Sequence, residues 1–122
     1  RPTVEECLDP GQIERFRTVV EDTRVDDDVL EFILDVTRAT RSTYTVETGI
    51  SPRGTQRLLE ASRALATLEG RDYVVPDDVV RMAEPVLAHR IVLTPESTVE
   101  GLEQRAVVRD ILEEVPVPTV DR

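Results

Sequence analysis

At 122 residues the chain is one domain's worth, and its formal charge of −10 would repel phosphate backbones, which excludes a general nucleic-acid-binding role. No apolar run reaches membrane length and no secretory or lipidation pattern is present, so the sequence reads as a soluble, cytoplasmic protein away from membranes. One cysteine, Cys7, and one histidine, His89, exclude an internal disulfide and a metal site built on several imidazoles, so no metal site is expected.

All fifteen basic residues are arginine, against twenty-five acids. That pattern suits a protein kept soluble at high salt, and equally a GC-rich genome that replaces lysine. The charge is uneven. Residues 1–48 hold 12 acids and 6 arginines, residues 49–93 hold 6 and 6, and residues 94–122 hold 7 and 3. The neutral middle is the stretch suited to face another protein surface or an anion. The chain opens Arg1-Pro2 without an initiator methionine and is expected to be part of a longer one.

In chain order, Asp9-Pro10-Gly11-Gln12 supplies an N-cap acid and a proline at the first helical position, ahead of Ile13, Phe16, Val19 and Val20 at helical spacing. A first helix is predicted over about 10–22. Val25 reads as briefly extended, and Asp26-Asp27-Asp28 caps a second helix over about 27–40. Val29, Leu30, Phe32, Ile33, Leu34 and Val36 cover most of its circumference, which predicts the central helix; Phe16 and Phe32 are expected in the core.

Residues 42–50 are rich in β-branched and turn types and read as a non-helical connection. Ser51 then caps a third helix with Pro52 at its first position, and Leu58, Ala61, Ser62, Leu65, Ala66 and Leu68 form its small-residue buried stripe. Gly70 is the stop, and residues 71–75 read as a short extended connector. Pro76-Asp77-Asp78 starts a fourth helix behind Val75, a poor N-cap, and Pro85 is expected to interrupt it.

His89 is expected to be a partly buried imidazole and Arg90 a guanidinium bonding backbone carbonyls. Ile91-Val92-Leu93 reads as extended. Ser97-Thr98-Val99-Glu100 matches a capping box opening a last helix with an apolar face of Val107, Val108, Ile111, Leu112 and Val115. The fold class expected is all-α, a compact bundle of four to six helices with one short two-stranded element, as a single domain over 1–115 with an extended tail over 116–122.

Most catalytic chemistry is absent. Without lysine there is no Walker-type phosphate loop, and no Ser/His/Asp or Cys/His spacing rises above chance. Asp77-Asp78 and Glu113-Glu114 read as capping and solvated acids, and Cys7 as an inert thiol. What remains is Arg53 at a helix N-terminus. Backbone N–H groups and the helix dipole favour an anion there, and the guanidinium adds a fork of donors for phosphate, with Gly54 leaving the approach uncrowded.

These residues also carry a family resemblance. Ser51-Pro52-Arg53-Gly54, Leu58-Leu59, Ala61-Ser62-Arg63-Ala64, Leu68-Glu69-Gly70-Arg71-Asp72-Tyr73-Val74, Pro76-Asp77-Asp78-Val79 and Val86-Leu87-Ala88-His89-Arg90, with Ala39-Thr40-Arg41 upstream, resemble the C-terminal lid domain of MoxR-type AAA+ ATPases over about 36–93. Gly54 stands where the family often has Ala, and Val75 where it often has Thr.

The resemblance implies a helical lid closing over ATP and magnesium held by an upstream core, in a ring that is usually a homo-hexamer. The fragment alone would bind no cofactor and be no enzyme. Arg53 would be the sensor-2 arginine, serving the nucleotide of its own subunit or of a neighbour, with Ser51 and Pro52 framing it. Arg57, one turn on, would be a second nucleotide contact or simply pair with Glu60. Chaperone-like maturation of partner proteins, often beside a von Willebrand factor A domain protein, is the activity implied. A stand-alone helical interaction module, or the lid of another AAA+ class such as a clamp loader or replicative ATPase, is the alternative.

Overall fold

The computed structural model describes residues 10–119. Among them are six α-helices: α1 (Pro10–Asp22), α2 (Asp27–Ser42), α3 (Pro52–Leu68), α4 (Pro76–Leu87), α5 (Pro95–Val99) and α6 (Gln104–Glu114). Two short strands, β1 (Val46–Thr48) and β2 (Val92–Leu93), pair antiparallel, with Val46 opposite Leu93 and Thr48 opposite Val92. This is the all-α bundle with one small sheet that the periodicity predicts. The Asp9 cap and Cys7 lie outside the described residues.

The centre of the bundle is α2. Val29, Phe32, Ile33 and Val36 are buried on it, and it meets α3, α4, α6 and β1. An apolar surface covering most of a helix's circumference can be satisfied only by neighbours on several sides. The α3–α4 pair forms the most extensive packing in the bundle, with Leu58, Ser62 and Ala66 of α3 turned inward. Val107, Val108 and Ile111 of α6 complete the core.

Two expectations about packing are corrected. Phe16 is half-buried, because α1 lies chiefly on α3 and buries no residue completely. A helix with one main neighbour covers one side of its stripe and leaves the rest in water, as Val19 does at 52% exposure. Leu68, placed in the α3 stripe by spacing, is 63% exposed, since it falls in the last turn, beyond the reach of α4.

The helix ends follow local chemistry. At the end of α3, Gly70 takes φ +79°, its N–H donates to Thr67 C=O at 3.0 Å, and Arg71 N–H donates to Ala66 C=O at 2.9 Å. That double bond pattern is a Schellman stop and needs a residue comfortable in the left-handed region. The connector after it pairs with the segment after α1: Arg24 N–H donates to Asp72 C=O at 2.8 Å and Val74 N–H to Arg24 C=O at 2.9 Å. The extended readings at Val25 and over 71–75 are thus two halves of one parallel bridge, Arg24 to Tyr73.

Pro85 does not interrupt α4, which runs on to Leu87 before tightening into a 3₁₀ turn over Ala88–Arg90. Proline costs a helix the N–H of its own position, and here that loss falls in the final turn, with Pro85 facing solvent. The capping box at Ser97 is also overturned. Thr94 is the cap: its Oγ1 accepts Ser97 N–H at 3.1 Å, and Ser97 is a buried residue inside the short α5. Gly101, at φ +87°, ends α5 in a second Schellman stop, with Leu102 N–H donating to Ser97 C=O at 3.0 Å, and α6 starts afresh at Gln104. A T-P-E-S pattern and an S-T-V-E pattern three residues apart compete for one helix start, and the glycine decides between them.

Candidate functional site

The site grows from the loop between α2 and α3. Thr40, 1% exposed near the end of α2, donates its hydroxyl to Thr37 C=O at 2.6 Å and accepts Ile50 N–H at 2.9 Å. Its neighbour Arg41 donates Nε–H to Ile50 C=O at 2.9 Å. Both backbone polar groups of Ile50 are therefore taken by two consecutive side chains of α2. Gly49 makes the approach geometrically possible, since a Cβ there would lie 2.8 Å from the carbonyl carbon, carbonyl oxygen and Oγ1 of Thr40.

Ile50, fully buried, leads directly into Ser51. The Ser51 hydroxyl accepts Gly54 N–H at 3.2 Å, Ser51 C=O accepts Thr55 N–H at 3.0 Å, and Pro52 at the first helical position has no N–H to satisfy. Of the first-turn amides, only that of Arg53 is left open. The helix end thus offers an anion one backbone donor, so the Arg53 side chain must carry most of any recognition.

Arg53 is exposed, and its guanidinium has no hydrogen bond or ion pair among the described residues. Arg38, Arg71, Arg81 and Arg109 hold carboxylates, whereas Arg53 shares its unpaired state with Arg15, Arg17, Arg63, Arg90 and Arg105 among the described residues; what sets it apart is its place in the first turn of α3. Arg57, one turn along α3, donates to Glu60 at 2.9 Å, so its charge is already engaged within the helix. Of the two nucleotide-facing arginines expected, Arg53 keeps its donors open and Arg57 shares its own.

Gly54 acts differently from the sequence expectation. It is buried, and a Cβ on it would lie 2.7 Å from Ile50 Cγ2 and 3.6 Å from Arg90 Cδ. Its missing side chain makes room for Ile50 and for the aliphatic stem of Arg90 rather than for a ligand. Arg90 and His89 also depart from expectation: both are exposed, and the Arg90 guanidinium bonds no carbonyl among the described residues. The 3₁₀ turn and β2 carry Arg90 to the α3 N-terminus, with Ile91 C=O held by Gln104 Nε2–H at 2.6 Å. Two arginines 37 positions apart in sequence, 53 and 90, thus share one end of α3.

What the spacing missed is the role of Ala39-Thr40-Arg41. Its partner, Ile50, is ten residues from Thr40 and nine from Arg41, across a loop with no periodicity to read. An open cleft of about 760 Å³ lies elsewhere, between Glu84, Ala88, His89, Val92, Leu102 and Arg105; none of Ser51, Pro52, Arg53 or Arg57 lines it.

Comparisons with known proteins bear on the family and the fold. A model of the AAA lid domain matches residues 38–111. The chain is 42% identical to the uncharacterised protein YeaC of Bacillus subtilis over 99 residues, covering 81% of this chain and 31% of that protein. It is 30% identical to the chaperone MoxR1 of Mycobacterium tuberculosis over an alignment of 129 positions, 98% of this chain and 34% of the relative. With the protein MoxR of Paracoccus denitrificans it shares 47% identity over 72 residues, 57% of this chain and 21% of that one. The chain spans about a third of the length of the first two. A crystal structure of a candidate ATPase from Cytophaga hutchinsonii superposes with a TM-score of 0.84 at 24% identity, covering 89% of this chain and 36% of that one, which establishes a shared fold. The resemblance read from the S-P-R-G turn and the blocks after it holds, and the chain belongs to the AAA lid domain family, of the kind found in MoxR proteins.

Proposed function

We propose that this domain is the lid of a MoxR-type AAA+ ATPase and that Arg53 is its sensor-2 arginine, contacting the terminal phosphate of ATP held by a core elsewhere in the full-length protein. The observation that carries the reading is the state of Arg53: exposed, without a partner among the described residues, and mounted on a capped helix start whose preceding residue is held at both backbone groups. A guanidinium with no competing partner, on a backbone mount held at Ile50, can meet charge that develops on a transferring phosphoryl group without first breaking another ion pair.

The residues fit part of a nucleotide and not the whole. One open amide and one guanidinium match an oxyanion edge such as a γ-phosphate. Among the described residues no group of His, Cys, Asp or Glu is arranged to hold a metal ion, so magnesium would be coordinated by the core. ATP bound there supplies the phosphoryl group; the lid would orient Arg53 towards it and help exclude water. The chaperone name of the Mycobacterium relative supports a chaperone-like activity for the whole protein, and maturation of partner proteins is part of the same proposal. A homo-hexameric ring, a von Willebrand factor A domain partner and a cytoplasmic location belong to the same proposal. So does the division into a lid over 1–115 and a tail over 116–122, with Ser51 and Pro52 as the frame of the nucleotide contact and Arg57 as its flank.

The test is the steady-state ATPase rate of the full-length protein, wild type against Arg53→Ala, with nucleotide affinity measured alongside. We expect kcat to fall on the order of 10²-fold with nucleotide affinity changed far less, as for loss of a contact made in the transition state. An unchanged rate would remove the sensor assignment and leave a helical interaction module.

A further inference from the structure

We propose that Thr40 and Arg41 are positioning residues for Arg53, holding the first turn of α3 in the orientation that presents its guanidinium to the phosphate. The inference rests on the sensor reading of Arg53 above and adds two residues to that site.

The clamp has three parts that act on one residue. Thr40 Oγ1, anchored by donating to Thr37 C=O at 2.6 Å, accepts Ile50 N–H at 2.9 Å. Arg41 Nε–H donates to Ile50 C=O at 2.9 Å from the other side. The Ile50 side chain, 1% exposed, packs against Gly54, where even a methyl group would come within 2.7 Å. With N–H, C=O and side chain all fixed, the peptide plane that leads into Ser51 has no free rotation, and Arg53 is only two residues beyond Ser51.

The anchor is also rigid. Thr40 sits in the last turns of α2, the central helix, rather than in a loop, so the position of Arg53 is referred directly to the core. A threonine supplies an acceptor and a donor at once, which a valine of the same shape cannot. An arginine supplies a donor at Nε that lysine lacks at that point of its stem. Arg41 is exposed and reaches Ile50 along the surface, so replacing it opens no cavity.

The experiment measures kcat and KM for ATP in the full-length protein carrying Thr40→Val, Thr40→Ser or Arg41→Met, each alone, and Thr40→Val and Arg41→Met each combined with Arg53→Ala. We expect Thr40→Val and Arg41→Met each to lower kcat by about 10- to 100-fold with KM little changed, the scale of a misplaced catalytic group. Thr40→Ser, which keeps the hydroxyl, should restore most of the rate. In the Arg53→Ala background neither substitution should lower kcat further, because the group they position is gone.

A purely structural role gives another pattern. The losses would then multiply with that of Arg53→Ala, and Arg41→Met, at an exposed position, would leave kcat unchanged. Either result, with Arg53→Ala alone still lowering kcat, overturns the positioning role and leaves the sensor reading intact. If Arg53→Ala alone leaves kcat unchanged, the sensor reading fails and this inference fails with it.

Discussion

Asp78 is fully buried, and its two oxygens receive Arg71 Nη1 at 2.8 Å and Nη2 at 2.7 Å, while Oδ2 also accepts Val75 N–H at 2.8 Å. Arg71 reaches on to Glu69 Oε1 at 2.6 Å and to Tyr73 C=O at 3.1 Å, and the Tyr73 ring lies 5.7 Å from the Arg24 guanidinium carbon and 5.9 Å from that of Arg71. Reading Asp77-Asp78 as caps and solvated acids was half right. Asp78 does bond back to the N-cap by accepting Val75 N–H, yet it is the ion-pair partner of a residue seven positions back, and only the turn at Gly70 brings the two together. Breaking such a pair leaves a charge without its partner in poor solvent, which costs more than the intact pair contributes. Asp78→Asn keeps an acceptor for Val75 N–H and removes the charge. Arg71 retains Glu69 and is 21% exposed at its side chain, which lowers the penalty, so the expected loss is about 2–3 kcal/mol in denaturant unfolding of the 122-residue chain. A loss below about 0.5 kcal/mol would mean that water solvates Arg71 well enough to replace the carboxylate.

Between elements, the surface ion pairs act as ties whose strength depends on pH. Glu84 of α4 accepts both Nε–H and Nη2–H of Arg109 on α6, at 3.0 and 2.8 Å, and Glu69 joins Arg81 and Arg71 across the α3–α4 turn. The hydrogen bond from Arg109 holds the Glu84 carboxyl below its ordinary 4.5, and the hydrogen bonds from Arg81 and then Arg71 do the same for Glu69. A carboxylate with a depressed folded-state pKa stabilises the fold fully above the unfolded value and loses that contribution as pH falls through the folded value. The melting temperatures of wild type and Glu84→Gln should therefore differ at pH 7 and converge below about pH 4.5; the comparison at each pH cancels the loss of overall charge near the isoelectric point, about 4.5. A gap that stops changing with further acidification and still does not close would show that Glu84 acts by packing rather than by charge. At this scale the helices were legible because their apolar stripes are local. The failures at Ser97, Pro85 and Leu68 lie at helix ends, where one glycine, one missing N–H or the length of a neighbour decides and periodicity carries no information.

Across the whole molecule, apolar pattern and charge pattern were readable to different depths. The pattern of α2 announced the central helix, since six apolar residues in eight positions leave no other solution, while the pattern of α1 could not say how many neighbours it would have. Of the candidate site, the Ser51-Pro52 cap that carries Arg53 was legible, and the contacts of Thr40, Arg41 and Arg90 were not, because their partners are set by tertiary structure. Charge was legible as a sum: −6 over residues 1–48 and −4 over 94–122, with a neutral middle that contains α3 and Arg53. Self-repulsion among those flanks opposes compaction, and salt screens it within a Debye length of about 10 Å at 0.1 M and about 3 Å at 1 M. The same salt weakens the ion pairs, but the four joining Arg38, Arg57 and Arg109 to their acids are largely exposed at the arginine and contribute little each. Net repulsion should win, so the melting temperature in sodium chloride should rise up to about 1 M and then level off, because screening has nothing further to remove. A melting temperature that kept climbing through several molar salt would assign the lysine-free acidic surface to life at high salinity, whereas one that stayed flat or fell from the lowest salt upward would mean that the ion pairs outweigh the repulsion.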